Sequence, residues 1–329
     1  MGFQAVSAAA GRVLSRTSRY MSCILSPQQY IMTEDDWNVI LGRIEAGKCT
    51  PFLGAGVNYG ILPLGSQIAQ EWALEFGFPL NSSGDLATVA QFLAVKHNDP
   101  VFPKDKILER FAKEKAADFS KRDERLDCLR ALAELPLPVY LTTNYDRLMV
   151  EALRHNEKKP CHEVCRWHKG LRFLPTVFGS RYTPDKDNPV VFHLHGSDEH
   201  VESLVLTEDD YLDFLVNISR NGKLLPPRIQ EALTSASLLF VGYRLRDVDF
   251  RVIYRGLVQS MEGSQRRLSV TVQMTPPDDH VGDPNDAERF LTDYFKELKV
   301  AVYWGTAAQF AEDLRNRWRA FRKDRGHGE

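Results

Sequence analysis

An α/β chain with a doubly wound, mostly parallel sheet of about six strands is what the sequence predicts, and three observations carry that prediction. Short apolar runs rich in β-branched and aromatic residues recur between residues 49 and 304, and stretches with helical spacing lie between them. Four of the runs close on glycine or small polar residues: Pro51-Phe-Leu-Gly-Ala-Gly-Val57, Val139-Tyr-Leu-Thr-Thr-Asn-Tyr-Asp146, Val190-Val-Phe-His-Leu-His-Gly-Ser197 and Leu238-Leu-Phe-Val-Gly-Tyr-Arg-Leu-Arg-Asp247. Strands alternating with helices imply βαβ units. Ligands of such sheets bind beyond the carboxyl ends of the strands, so the four segments point to one site.

The elements follow in order. Thr33-Glu-Asp-Asp36 reads as a variant capping box, opening a helix that runs to about Ala46. Cys49 to Leu53 is the first strand, Gly54-Ala-Gly56 a turn, and Ile61 to Phe76 a helix with Ile68, Trp72 and Phe76 at helical spacing. Residues from about 85 to 135 are helical in pattern and highly charged, an insertion forming a layer outside the sheet. Pro136 and Pro138 precede the second strand, Val139 to Thr142, and a helix follows from Asp146 to His155. Asn156 to Asn188 lacks a clear period and reads as a loop with one or two short strands. Val190 to Leu194 is the third strand, and Leu204 to Leu206 a candidate short fourth. Thr207-Glu-Asp-Asp210 is a second capping box, opening an amphipathic helix with Tyr211, Phe214 and Leu215 on one face. Leu238 to Val241, Leu268 to Met274 and Val300 to Trp304 complete the sheet, with helices at Glu288 to Leu298 and Ala307 to Phe321.

Composition narrows the function. With 329 residues, 43% hydrophobic and 26% charged, the chain is an ordinary globular protein. A net charge of −2 supplies no overall basic field for nucleic acid, and no apolar run reaches the ~20 residues that span a bilayer. Five scattered cysteines suit a reducing, cytoplasmic setting. Residues 1–32 carry Arg12, Arg16 and Arg19 and loosely resemble a transit peptide, but the reading preferred is a disordered tail or a start assigned too early, with Met32 as the true beginning. Residues 33–315 form the single domain and 316–329 a basic tail, for which a solvated helix face is preferred over a nucleic-acid contact; direct nucleic-acid contact stays open.

Each strand end has a functional and a structural reading. Gly54-Ala-Gly56 is half of a dinucleotide fingerprint, its glycines letting backbone N–H groups approach a pyrophosphate, or a plain tight turn. Thr143, Asn144 and Asp146 can bond ribose hydroxyls, while Asp146 can equally cap the next helix. His193 and His195 differ by two and would share one face of a regular strand, with His195 nearer the crevice and His193 a packed core residue. Gly242 and Tyr243 lead into Arg244 and Arg246, either of which can grip a phosphate or pair with the neighbouring aspartates. Cys161-His-Glu-Val-Cys165 with His168 offers no second closely spaced cysteine pair, so no metal is expected.

The order Gly-Ala-Gly, Thr-Thr-Asn-Tyr-Asp, His-Gly and Val-Gly-Tyr resembles the sirtuin superfamily. With Leu206-Thr-Glu-Asp-Asp-Tyr211, Phe240-Val-Gly-Tyr-Arg-Leu-Arg-Asp-Val-Asp-Phe-Arg251 and Trp304-Gly305, residues 33 to 315 resemble the sirtuin-like domains of bacterial antiphage defence systems. The resemblance implies a Rossmann-like sheet with an added helical layer. NAD would be the substrate, held at Gly54, Ala55, Gly56, Thr143, Asp146, Gly242, Tyr243 and Arg244. Asn144 and His195 would be catalytic: Asn144 would orient ribose and water, and His195 would accept a proton with a pKa near neutrality. Deacylating sirtuins carry a zinc ribbon after their His-Gly, a Pro-Asp-Phe-Arg after the glycines, and a small Thr-Ser where this chain has Tyr243-Arg244. Those departures favour attack by water, giving nicotinamide and ADP-ribose. A deacylase or ADP-ribosyltransferase, and a non-catalytic module that senses NAD or ADP-ribose, are the alternatives. The resemblance further implies a homo-oligomer, or restraint by a co-encoded partner such as a HerA-type DNA translocase or a short Argonaute; no membrane association is expected from the lack of a spanning apolar run.

Overall fold

The computed structural model describes residues 32–81, 84–114, 117–179, 181–221, 224–243, 267–274 and 284–326. Residues 1–31 of the expected tail, and Arg244 and Arg246 among the candidate site residues, lie outside them. Seven parallel strands among the described residues form one sheet: β1 Cys49–Leu53, β2 Val139–Thr142, β3 Cys161–Val164, β4 Val190–His193, β5 Ser237–Val241, β6 Ser269–Gln273 and β7 Val300–Trp304, in the order β3-β4-β2-β1-β5-β6-β7. The chain steps from β1 through β2 to the edge strand β3, returns to β4 between those two, then crosses to β5 and winds the other way, which is the doubly wound arrangement.

One strand is located only loosely by the sequence and one expected strand is absent among the described residues, and both have physical causes. The seventh strand, β3, is one of the one or two short strands expected within the loop from Asn156 to Asn188; it is an edge strand whose Cys161 and His162 are only partly buried, so its apolar signature is weak and its place could not be read. Leu204 to Leu206 is fully buried but joins no strand, because it packs into a helical layer rather than along a sheet edge.

Helices cover both faces: α1 Glu34–Glu45, α5 Asp127–Glu134, α6 Leu148–His155 and α10 Ala307–Asp324 on one side, α7 Glu208–Arg220, α8 Pro227–Thr234 and α9 Pro284–Glu297 on the other. Strand side chains alternate between the two cores: Leu239 and Val241 face the first, Leu238 and Phe240 the second. A third apolar cluster joins α2 Gly65–Phe76, α3 Leu86–His97 and α4 Phe102–Ala112 to Leu204 and Leu206, forming the added helical layer. Capping boxes open α1 and α7 at Thr33/Asp36 and Thr207/Asp210, and a third opens α10 at Thr306/Gln309. No helix among the described residues is long and apolar enough to cross a membrane.

Candidate active site

The ends of β4, β2, β1 and β5 are neighbours in the sheet, so the four sequence segments lie side by side. At the centre, the glycine turn is packed directly on the end of β5. The N–H groups of Gly54 and Gly56 donate to the carbonyls of Val241 (2.9 Å) and Gly242 (2.9 Å). Gly242 has φ +84°, and a Cβ there would collide with the Val57 backbone; Gly54 and Gly56 in turn have no room for one against Gly242. These glycines therefore have a structural reason to be glycine, and the N–H groups of Gly54 and Gly56 are already engaged. Ala55 opens a short 3₁₀ turn, Ala55–Asn58. Tyr243 straps the same place, its hydroxyl 3.0 Å from the Leu53 carbonyl and 2.8 Å from Thr143 Oγ1.

The end of β2 is held by short polar side chains. The Thr143 N–H donates to the Leu53 carbonyl at 3.0 Å. The Asn144 N–H donates to Thr142 Oγ1 at 2.9 Å, and Asn144 Nδ2 to the Gly54 carbonyl at 3.1 Å, so Asn144 also bridges β2 to the glycine turn. Asp146 accepts from the Leu148 N–H (3.0 Å), which caps α6, and from Asn58 Nδ2 (2.6 Å). Burial of its carboxyl raises its pKa to about 6, since the charged form loses water. Asn58 escaped the sequence reading: it is buried, and its Oδ1 has no partner among the described residues. A polar side chain two residues past a strand-end glycine turn was the signal available.

At the end of β4 the histidines part company. The strand stops at His193, so alternation does not extend to His195, and the two do not share a face. His193 packs edge-on against His162 at 4.5 Å, and its Nδ1 lies 2.9 Å from the Asn144 carbonyl. His195 instead meets the rings of Tyr211 (5.3 Å) and Phe214 (5.1 Å) on α7. Its carbonyl accepts from the Val205 N–H at 2.9 Å. Gly196, φ +87°, turns the chain where any Cβ would run into the Ser203 carbonyl. Burial without a charged partner lowers the His195 pKa to about 3, which corrects the expectation of a value near neutrality. The ring is neutral at pH 7. His193 is likewise lowered to about 3, by burial first and then by the neighbouring His162.

Cys165, one of the two cysteines weighed for zinc, is buried in the second core with its thiol pushed up to about 12 by desolvation. Among the described residues no three His, Cys, Asp or Glu side chains form a group suited to a metal ion.

About half of the chain matches a known family model. Residues 138–299, which include Asn144 and His195, match the SIR2-like domain. The NAD(+) hydrolase ThsA of Bacillus cereus (strain MSX-D12) is 28% identical over 217 residues, covering 66% of this chain and 41% of that protein. The NAD(+) hydrolase ThsA of Enterococcus faecium is 26% identical over 227 residues, 68% of this chain and 42% of its own. That of Acinetobacter baumannii (strain 532279) is 21% identical over 305 residues, 88% and 58% respectively. The chain thus spans about half or less of the first two relatives' length. A solved chain from work titled "Structural Basis for the Mechanism and Regulation of Sir2 Enzymes" superimposes with a TM-score of 0.40 at 16% identity, covering 88% of this chain and 100% of the other. With the strand-end segments adjacent and the match running through three of the four, residues 138–299 of this chain are similar to the SIR2-like domain.

Proposed function

We propose that this chain cleaves the nicotinamide–ribose bond of NAD with water, releasing nicotinamide and ADP-ribose, and that it acts as an antiphage effector by depleting NAD. One observation carries the reading: Thr142 and His193 are register partners on β2 and β4, so Asn144 and His195 leave the sheet from matching positions on adjacent strands. The polar groups around them fit a ribosyl substrate. Thr143, Asn144 and Asp146 supply hydroxyl, amide and carboxyl groups, and the unpartnered Oδ1 of buried Asn58 is an acceptor for a ligand N–H or O–H.

In this reading the C1′–N bond breaks with its electron pair leaving on nicotinamide, and the oxocarbenium-like ribose is held by polar contacts. Asn144 orients the ribose and the attacking water. The neutral ring of His195 takes the proton that water loses as the new C1′–O bond forms. An enzyme of this kind consumes its own cell's NAD, so restraint by self-association or by a partner protein belongs to the proposal.

The test is mass-spectrometric product analysis of the purified chain with NAD and an acetyl-lysine peptide in one tube. Nicotinamide plus free ADP-ribose is expected, with turnover reduced about 10²–10⁴-fold in Asn144→Ala and in His195→Ala. Acetylated ADP-ribose would replace the proposal with deacylation, and tight NAD binding without products would replace it with a sensing module.

A further inference from the structure

The three acidic residues that open α7 are each held by one residue of the helical layer. Thr88 Oγ1 donates to Glu208 Oε1 at 2.7 Å, and Gln91 Nε2 to Asp209 Oδ2 at 2.8 Å, both at the surface. The third contact differs in kind. Lys104 Nζ lies 2.8 Å from Asp210 Oδ1 with the two side chains only 8% and 14% exposed, and the ammonium sits 5.9 Å from the Trp167 ring centroid.

Capping α7 does not need Lys104. The other carboxylate oxygen of Asp210 already accepts from the N–H groups of Leu206 (3.1 Å) and Thr207 (3.0 Å). A buried ion pair is also no better for stability than two apolar side chains of the same volume. What the pair does hold is the surroundings of His195. Asp210 fixes the Val205 to Thr207 segment, and the Val205 N–H is bonded to the His195 carbonyl. Tyr145 reaches the same segment from the other strand end, its hydroxyl donating to the Val205 carbonyl at 2.6 Å. One turn along α7, Tyr211 and Phe214 bear on the His195 imidazole. Backbone and ring of His195 are thus both set by the helix that Lys104 anchors.

We propose that Lys104 and Asp210 are positioning residues for His195, so that the helical layer sets the orientation of the proton-accepting imidazole. The proposal rests on the NAD-cleavage reading for its kinetic consequence, but not for its structural one. The experiment uses the full chain as wild type, Lys104→Met, Lys104→Arg and Asp210→Asn. It measures kcat and KM for NAD, and the ring ¹³C–¹H NMR signal of His195 without NAD, assigned by its loss in His195→Gln.

The expected result is a fall in kcat of about 10²-fold in Lys104→Met, as misplacement of a reacting group by about 1 Å brings, with KM changed by less than about twofold. The His195 signal should shift, and Lys104→Arg should restore both. A folded Lys104→Met with wild-type kcat and an unmoved His195 signal would overturn the proposal. Should Lys104→Met fail to fold, Asp210→Asn, which keeps an acceptor for the cap, decides by the same two readouts. Should the wild type leave NAD intact, the cleavage reading falls while the His195 signal still decides the positioning.

Discussion

The helical layer of α3 and α4 and the basic helix α10 are both docked at the periphery of the sheet, and both carry ion pairs to what they dock on. The pairs sit in different solvents. Lys104 and Asp210 are 8% and 14% exposed, whereas Arg317 and Glu34 on α10 and α1 are 36% and 74% exposed, and Arg325 and Glu45 are 55% and 30% exposed. In water a pair gains little Coulomb energy and is screened by salt, so α10 is held by its apolar face instead: Phe310, Ala311, Leu314 and Trp318 are buried, and Phe310 stacks on Trp37 at 5.8 Å. Removing one partner of the desolvated pair leaves a bare charge, so there the ions dictate geometry. The difference teaches that charge content alone does not reveal where electrostatics governs this molecule.

The largest expected effect that sharpens this contrast is on stability. Lys104→Met should cost about 3–5 kcal/mol by stranding Asp210, read from the urea midpoint, and Lys104→Met with Asp210→Asn, which removes the charge but keeps an acceptor for the Leu206 and Thr207 N–H groups, should recover most of that loss. Recovery failing in the double variant would show that packing rather than desolvated charge holds the layer. On α10 the apolar counterpart, Trp318→Ala, should cost about 3–5 kcal/mol.

Next comes pH. His193 and His195 take no proton in the folded state until about pH 3, while the unfolded chain binds one at each near pH 6.5. Their contribution is complete above pH 6.5 and is lost as pH falls toward 3, on the order of 2 kcal/mol each between pH 6.5 and 5. Asp146, raised to about 6, works in the opposite sense: its contribution is complete below its usual range near 3.9 and is lost as pH rises through 6. Acid should therefore destabilise the protein, the two histidines together outweighing Asp146, and Asp146→Asn should steepen the loss between pH 6.5 and 4 in urea midpoints measured across that range. A wild-type midpoint rising as pH falls would mean that Asp146 outweighs the histidines.

The smallest effect is on the exposed pairs. Arg317→Ala and Arg325→Ala should leave the melting temperature without measurable change, and 1 M salt should not alter that. A clear loss in Arg317→Ala would point to its stacking over Trp37, 4.9 Å from the ring centroid, rather than to Glu34.

Much of the fold was legible because its signals are local. The bounds of β1, β2 and β7 and the capping boxes at Thr33 and Thr207 follow from residues within one strand or one helical turn. The place of the edge strand β3 within its loop was not legible, since partial burial of Cys161 and His162 relaxes the demand for apolar residues. Nor was the burial of Leu204 to Leu206, whose partners Ile68, Trp72 and Leu93 lie more than a hundred positions earlier. At the candidate site the residue types at the strand ends were readable, but Asn58 was overlooked because its hydrogen bond to Asp146 spans 88 positions.

The sequence by itself determined which chemical groups stand at the strand ends and in what chain order: glycines after β1, amide and carboxyl after β2, histidine and glycine after β4, glycine and tyrosine after β5. Only the tertiary structure decided that those ends are neighbours, that the Gly54 and Gly56 N–H groups are consumed by β5, and that His195 is neutral among aromatic rings. It also decided that Lys104 and Asp210, 106 positions apart, meet out of water. The reason is range. Periodicity and capping act over a few residues of one segment, whereas desolvation and strand pairing depend on what distant segments bring to the same place.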